Sequence, residues 1–162
     1  MPVRPILSYP DPRLRQPATE VSLFDDALRA LATDLIDTLR DAQALGITAP
    51  HIGVPLRVAV IQLSPDDSPR VYVNPRVVSA SDETARHEEG SVSMPGLTEK
   101  LERPARIQVA YQDLQGERHA EDAEGLLAVC HQHEIDQLDG IFWVDRLSRL
   151  KRERLLKRRS RR

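Results

Sequence analysis

The stretch Gly125-Leu-Leu-Ala-Val-Cys-His-Gln-His-Glu-Ile-Asp-Gln-Leu-Asp-Gly140 constrains this chain more than any other. It predicts one helix of about four turns, closed by Gly140 in the left-handed position that commonly ends helices. Inside it, His133-Glu134-Ile135-Asp136-Gln137 is one letter from His-Glu-x-x-His. That spacing sets two imidazoles on one helical face around a metal ion, with the glutamate beside the first acting on metal-bound water. Here Gln137 stands where the second imidazole belongs. An uncharged amide oxygen is a poor donor to zinc or ferrous iron. The helix thus carries a general base, Glu134, and one imidazole, His133, and lacks the second.

The rest of the chain bounds what can surround that helix. With 162 residues there is room for one domain and one core. Aromatic residues are few, so the core is aliphatic. No apolar run is long enough to span a bilayer, and the start carries no signal-peptide pattern. The single cysteine, Cys130, excludes an internal disulfide and fits a reducing cytoplasm. Charge is unevenly spread. From Arg149 to Arg162 nine Lys or Arg face one Glu, giving the tail +8 and leaving −10 on the rest of a chain whose formal charge is −2. An acidic body with a basic arm points to an anionic partner for the arm.

Helical spacing of Leu28, Leu31, Leu35, Leu39 and Ala42 predicts a first helix over roughly 25–44, opened by a capping box at Ser22 to Asp25 and broken by Gly46. Val58 to Leu63 and Val71 to Asn74 read as strands, the second stopped by Pro75. Residues 79–89 read as a polar, mobile segment holding His87. Ile107 to Asp113 alternates as a half-buried strand does, and Gln115-Gly116 turns it into a partner near Arg118 to Ala120. Phe142 to Val144 reads as extended, and a helix begins at about Ser148. Strands clustered around long helices make an α+β fold.

Four stretches together resemble the peptide deformylase family. Residues 126–148, from Leu126 through His133 and Glu134 to Ser148, are similar to its third motif and the segment after it. Pro5 to Arg15 looks like its N-terminal strand and turn. Gly46-Ile-Thr-Ala-Pro-His51 resembles its first motif, usually Gly-x-Gly-Leu-Ala-Ala-x-Gln, with Ala44 at the first glycine. Glu89-Gly-Ser-Val-Ser93 resembles its second, usually Glu-Gly-Cys-Leu-Ser. The resemblance implies antiparallel strands packed around a central helix carrying the degenerate motif, in a domain over 1–148, with a basic helix or tail over 149–162.

It also implies roles. Ser91, His133 and Gln137 take the three metal-ligand positions, of which only His133 keeps the family's residue. Glu134 takes the proton-moving position, and His51 the oxyanion-stabilising one. Gly46, Gly90, Ser91 and Arg103 fall along the path of a formyl-methionyl or methionyl peptide. A serine hydroxyl is no substitute for a thiolate, so no metal is expected at the family's site; an active form would use Fe2+ or Zn2+. Some bacterial deformylases dock a basic C-terminal helix on the ribosome, which implies rRNA as partner for residues 149–162 through phosphate contacts. Beyond the first turns of that helix the arginines are expected to be free, so that truncation after Leu150 leaves the fold intact.

The site residues leave several arrangements open. His51 either hydrogen-bonds Ser91, Gln137 or Glu134 in a metal-free network, or joins His133 and Glu134 as a rebuilt ligand set. Ser91, His133 and Glu134 also list the residue types of a nucleophilic triad. Cys130 reads as a packed core thiol, and His119 and His131 as solvent-facing. Two functions remain: a deformylase-like binding protein without metal-dependent removal of the formyl group, or a divergent active deformylase or other amide hydrolase with a rebuilt site using Glu134 as base.

Overall fold

The computed structural model describes residues 3–161. In chain order the helices are α1 (Asp26–Asp41), α2 (Gly125–Leu138) and α3 (Arg149–Ser160). The strands are β1 (Gly46–Thr48), β2 (Val58–Ile61), β3 (Arg70–Ala80), β4 (Thr84–Ser91), β5 (Met94–Pro104), β6 (Arg106–Gln112) and β7 (Arg118–Glu124). A five-stranded sheet runs β1-β2-β3-β6-β7, and β4 and β5 form a separate hairpin. Every strand pair is antiparallel. The fold is the expected α+β arrangement around a central helix. No helix among the described residues is long and apolar enough to cross a membrane.

Helix α1 is capped by the Asp25 carboxylate, which accepts from the Leu28 N–H at 3.1 Å; Ser22 takes no part in the cap. Its buried leucines, Leu28, Leu31, Leu35 and Leu39, pack with Val58, Val60 and Val73 from the sheet. The helix stops at Asp41, short of the expected end, because Gln43 turns left-handed at φ 53°. Gly46 is therefore not a breaker but the first residue of β1.

Strand β3 continues through Pro75 instead of ending there. The register shifts between Val73 and Arg76, and Asn74 at φ 52° absorbs the extra residue in a bulge, which is how a proline without an N–H survives inside a ladder. Residues 79–89 are no mobile loop: they close β3 and build β4, pairing residue by residue with β5. His87 accordingly lies in β4. Residues 142–144 open a 3-10 turn, Trp143–Arg146, rather than an extended piece.

Helix α2 is buried continuously from Ala128 to Leu138. A helix wrapped on all sides must find a partner for each polar side chain. His131 meets Glu121 Oε2 at 2.6 Å, and the Gln132 amide donates to the Pro104 carbonyl. His131 is thus buried, contrary to the solvent-facing expectation, whereas His119 is exposed. The helix closes on a Schellman motif: Ile141 N–H donates to Asp136 O and Gly140 N–H to Gln137 O, with Gly140 at φ 80°. A Cβ on Gly140 would lie 2.7 Å from Arg15 O, so the residue also lets the N-terminal segment pass close by.

Helix α3 is docked along its length. Leu155 is fully buried among Leu14, Met94, Leu97, Phe142, Trp143 and Leu147, with Leu156 beside it. Arg159 Nη2 donates to the Tyr9 carbonyl at 2.6 Å and stacks over its ring, and Arg158 lies 3.6 Å from Glu99. The expectation that the arginines beyond the first turns are free is therefore corrected for Arg158 and Arg159. Truncation after Leu150 would strip Leu155 from a core, and losing a buried leucine costs about 2–5 kcal/mol. The tail's last residue, Arg162, lies outside the described residues.

Candidate functional site

A cavity of about 440 Å³ opens between the segment leading into β1, the β4–β5 hairpin and α2. Gly46, His51, Gly90, Ser91, His133 and Glu134 all line it. Six of the eight residues expected at the site thus come together. Arg103 and Gln137 do not line it.

Each wall has a local cause. His51 sits at the third position of a 3-10 turn, Ala49–Ile52, whose N-cap is Thr48. Its Nδ1 lies 3.0 Å from the Thr48 backbone N and 2.9 Å from Thr48 Oγ1. None of the partners expected for it, Ser91, Gln137 or Glu134, holds it. Its other ring nitrogen, Nε2, is buried with no hydrogen-bond partner. Burial, reinforced by the charge of His133, pushes the His51 pKa down to about 3, so the ring is neutral.

Glu134 rests against Gly46. A Cβ there would lie 2.4 Å from Glu134 Oε2, so a larger residue would displace this carboxyl. Glu134 Oε1 is buried and unpaired. Burial raises its pKa to about 7, with His133 pulling it down and Glu89 pushing it up. Gly90 sits tightly in the hairpin: a Cβ there would lie 3.1 Å from Leu97 O, which would have to give by a few tenths of an ångström.

His133 is oriented from behind. Its Nδ1 lies 2.9 Å from Glu89 Oε1, a residue the sequence shows in the second motif but does not mark as functional. Glu89 takes two hydrogen bonds from Arg103, Nε at 2.6 Å and Nη2 at 2.9 Å. Arg103 Nη1 reaches Asp136 at 2.9 Å, and Arg146 grips Asp136 with two more. Arg103 therefore holds the scaffold rather than the substrate path, and its partners are buried carboxylates. Burial alone would raise the Glu89 pKa, but the hydrogen bonds from His133 and Arg103 outweigh it and hold the carboxyl low. Burial likewise works against a charged His133, and Glu134 and Glu89 outweigh it, raising its pKa.

The family's metal can be tested against these donors. Ser91 Oγ is a neutral oxygen already accepting from the Ser93 N–H at 3.1 Å. Gln137 is turned away, its amide donating to the Leu14 carbonyl at 2.6 Å. Among the described residues, the one cluster of three ligating His, Cys, Asp or Glu atoms is Asp113, Glu117 and His119, on the β6–β7 turn and outside the cavity. His51, His133 and Glu134 do not converge as a rebuilt ligand set. Of the three family ligand positions only His133 offers an imidazole and none offers a thiolate, so they do not fit a tightly held Fe2+ or Zn2+. The triad Ser91, His133 and Glu134 is not formed either, since the carboxylate on His133 Nδ1 is Glu89. Cys130 is the packed thiol expected, its pKa raised to about 12 by burial and by the nearby carboxylates Glu134 and Glu89.

Comparison with known proteins places this geometry. The family model for polypeptide deformylase matches residues 3–153. A peptide deformylase-like protein of Brucella melitensis is 61% identical over 158 residues, covering 98% of this chain and 96% of the relative. A peptide deformylase of Phenylobacterium zucineum is 47% identical over 161 residues, covering 98% of this chain and 95% of the relative. Among solved structures, a peptide deformylase from Legionella pneumophila superposes with a TM-score of 0.92 at 40% identity, covering 98% of this chain and 94% of the other. One from Synechococcus elongatus in complex with actinonin gives 0.93 at 34% identity, covering 99% and 89%. Matched over nearly its whole length, with the three family motifs drawn around one cavity, the chain belongs to the peptide deformylase family.

Proposed function

We propose that this protein binds formyl-methionyl or methionyl peptide N-termini in the cavity without performing metal-dependent removal of the formyl group. The observation that carries this is the fate of Gln137. At the position of the family's third ligand, its amide ties down the N-terminal segment instead of facing the cavity. The cavity walls and Glu134 are nevertheless retained. A family enzyme stripped of two donors keeps a pocket shaped for its ligand and loses the ion that activates water.

The test is direct. Protein purified without oxygen is assayed for iron and zinc, and titrated with formyl-Met-Ala and Met-Ala by calorimetry. Peptide binding with no stoichiometric metal and no turnover is expected. Turnover of formyl-Met-Ala that disappears in Glu134→Gln would establish the alternative, an amide hydrolase with Glu134 as base. The double variant Ser91→Cys, Gln137→His restores the family's donor types, and it should acquire metal that the parent lacks.

A basic face on α3 supports an anionic partner as well. Arg154, Lys157 and Arg161 are exposed and line one surface hollow together with Arg158 and Glu99. Ribosomal RNA supplies phosphates that such a basic face attracts. Because phosphate binding releases counterions, affinity for ribosomes should fall steeply as salt rises. Reversing those three charges should weaken it while leaving Leu155 and the fold in place. Binding that ignores salt and survives the reversal would remove the ribosome from the proposal.

A further inference from the structure

Helix α3 covers a strand edge with its basic side chains. The hairpin β4–β5 is a separate two-stranded sheet, so β4 is the only strand beside β5 among the described residues. The carbonyls of Thr98 and Lys100, two residues apart, turn to the same side of β5 and take their donors from α3. Lys151 Nζ donates to Lys100 O at 3.1 Å, and Arg158 Nη2 to Thr98 O at 3.4 Å. Arg159 holds the neighbouring segment: its Nη2 donates to Tyr9 O, the Tyr9 N–H donates to Ser93 O at 2.8 Å, and the Ser93 N–H donates to Ser91 Oγ at 3.1 Å. Ser91, Met94, Leu97 and Thr98 line the cavity, and Met94 and Leu97 pack with Leu155 of α3. A helix laid over an open edge protects it; this one also backs a wall of the cavity.

The groups that hold the wall are also groups that an anion attracts. Arg158 is exposed, and its 3.4 Å contact is longer than an ordinary N–H···O bond. It lines a hollow with Arg154, Lys157, Arg161 and Glu99, and it lies 3.6 Å from the Glu99 carboxylate. A phosphate brings a full negative charge where a carbonyl brings a dipole, and a guanidinium grips it with two donors. We propose that α3 is a strap on the cavity wall, and that an RNA backbone taken up by its basic face draws Arg158 off β5, loosening the hairpin and weakening peptide binding. The inference rests on the peptide-binding and basic-face readings above. The element with two arrangements is the Arg158 guanidinium, bound either to β5 or to phosphate. By linkage, a bound peptide weakens the hold on RNA by the same factor.

Two measurements on the full chain test this, with poly(U) as the RNA. Amide hydrogen exchange over residues 97–101, without peptide, reports the hairpin wall directly. It should quicken when poly(U) is bound at low salt. Calorimetric titration with formyl-Met-Ala-amide, an uncharged peptide that RNA does not repel, should show affinity lowered by about fivefold or more at saturating poly(U). Arg158→Gln should weaken the peptide to a similar extent by itself and remove most of the further effect of poly(U). Lys157→Gln takes a charge from the hollow and none from the strap, so it should weaken poly(U) binding while leaving the peptide affinity of the RNA-free protein unchanged. Poly(U) that binds but alters neither exchange nor peptide affinity overturns the strap and leaves both earlier readings standing. No binding of poly(U) overturns it together with the basic-face reading, and no binding of the peptide overturns it together with the peptide-binding one.

Discussion

Glu89, Arg103 and Asp136, buried along α2 and joined by the exposed Arg146, form one set of polar groups, and His51 with Glu134 forms another on the cavity side of the same helix. In the first set every charge meets an opposite one: Arg103 lies between two carboxylates, and Asp136 between two guanidinium groups. In the second, His51 Nε2 and Glu134 Oε1 are buried with nothing to bond. The satisfied set is scaffold, and it ends on His133 Nδ1, which it fixes. The unsatisfied set is where a ligand contributes what the chain withholds. Burial of a polar group marks importance in both cases, but pairing separates support from function.

The comparison breaks most visibly at Arg103. Replacing it by Ala leaves Glu89 and Asp136 buried with a partner removed, and breaking a buried ion pair from one side costs about 3–5 kcal/mol. Urea denaturation of Arg103→Ala should show a loss of that size. His133, no longer backed by a held Glu89, should lose its fixed ring orientation in the same variant. A change below about 1 kcal/mol would mean that the charge ladder contributes no more than a surface pair and that its role as scaffold is wrong.

Glu134 should behave in the opposite sense. Its pKa is raised from 4.5 to about 7, so between those values the folded protein holds a proton that the unfolded chain has released. Stability therefore falls as pH rises through that window, and the loss is complete above it. Glu134→Gln removes the cost. At pH 8 the variant should be more stable than the parent by up to about 3 kcal/mol, the gap narrowing as pH falls towards 5. Thermal melts at the two pH values read this directly. A variant less stable than the parent at pH 8 would show that Glu134 belongs with the satisfied set.

The fold is largely legible in the sequence because periodicity reports burial. The leucine spacing of α1, the alternation of β6 and the left-handed Gly140 each state a local rule that the tertiary structure obeys. The hairpin β4–β5 is not legible: residues 79–89 are charged, and their pairing is set by a partner strand rather than by their own pattern. Position 51 is marked only by the family resemblance, which leaves its orientation and partners open, and Thr48 does not stand out, because a side chain reaching back to a backbone N–H leaves no compositional trace. Arg103 and Glu89 mislead for a related reason. Their identities are those of surface residues, and only the contact of β4 and β5 with α2 shows that they neutralise one another. The burial of Leu155 in the basic tail does not stand out, since one buried leucine amid arginines carries almost no periodic signal.

Gln137 gives the finest test, since it sits on α2 between the two sets. It is buried, but its amide is spent on the Leu14 carbonyl rather than on the cavity. If that bond is its whole role, Gln137→Ala should cost about 1 kcal/mol, the worth of one buried hydrogen bond, and should leave affinity for formyl-Met-Ala within about twofold of the parent, a shift below RT ln 10. Urea melts and calorimetry on the same preparation measure both. A large loss of peptide affinity at unchanged stability would place Gln137 with His51 and Glu134, and the distinction between paired support and unpaired function would fail at the residue that should show it most sharply.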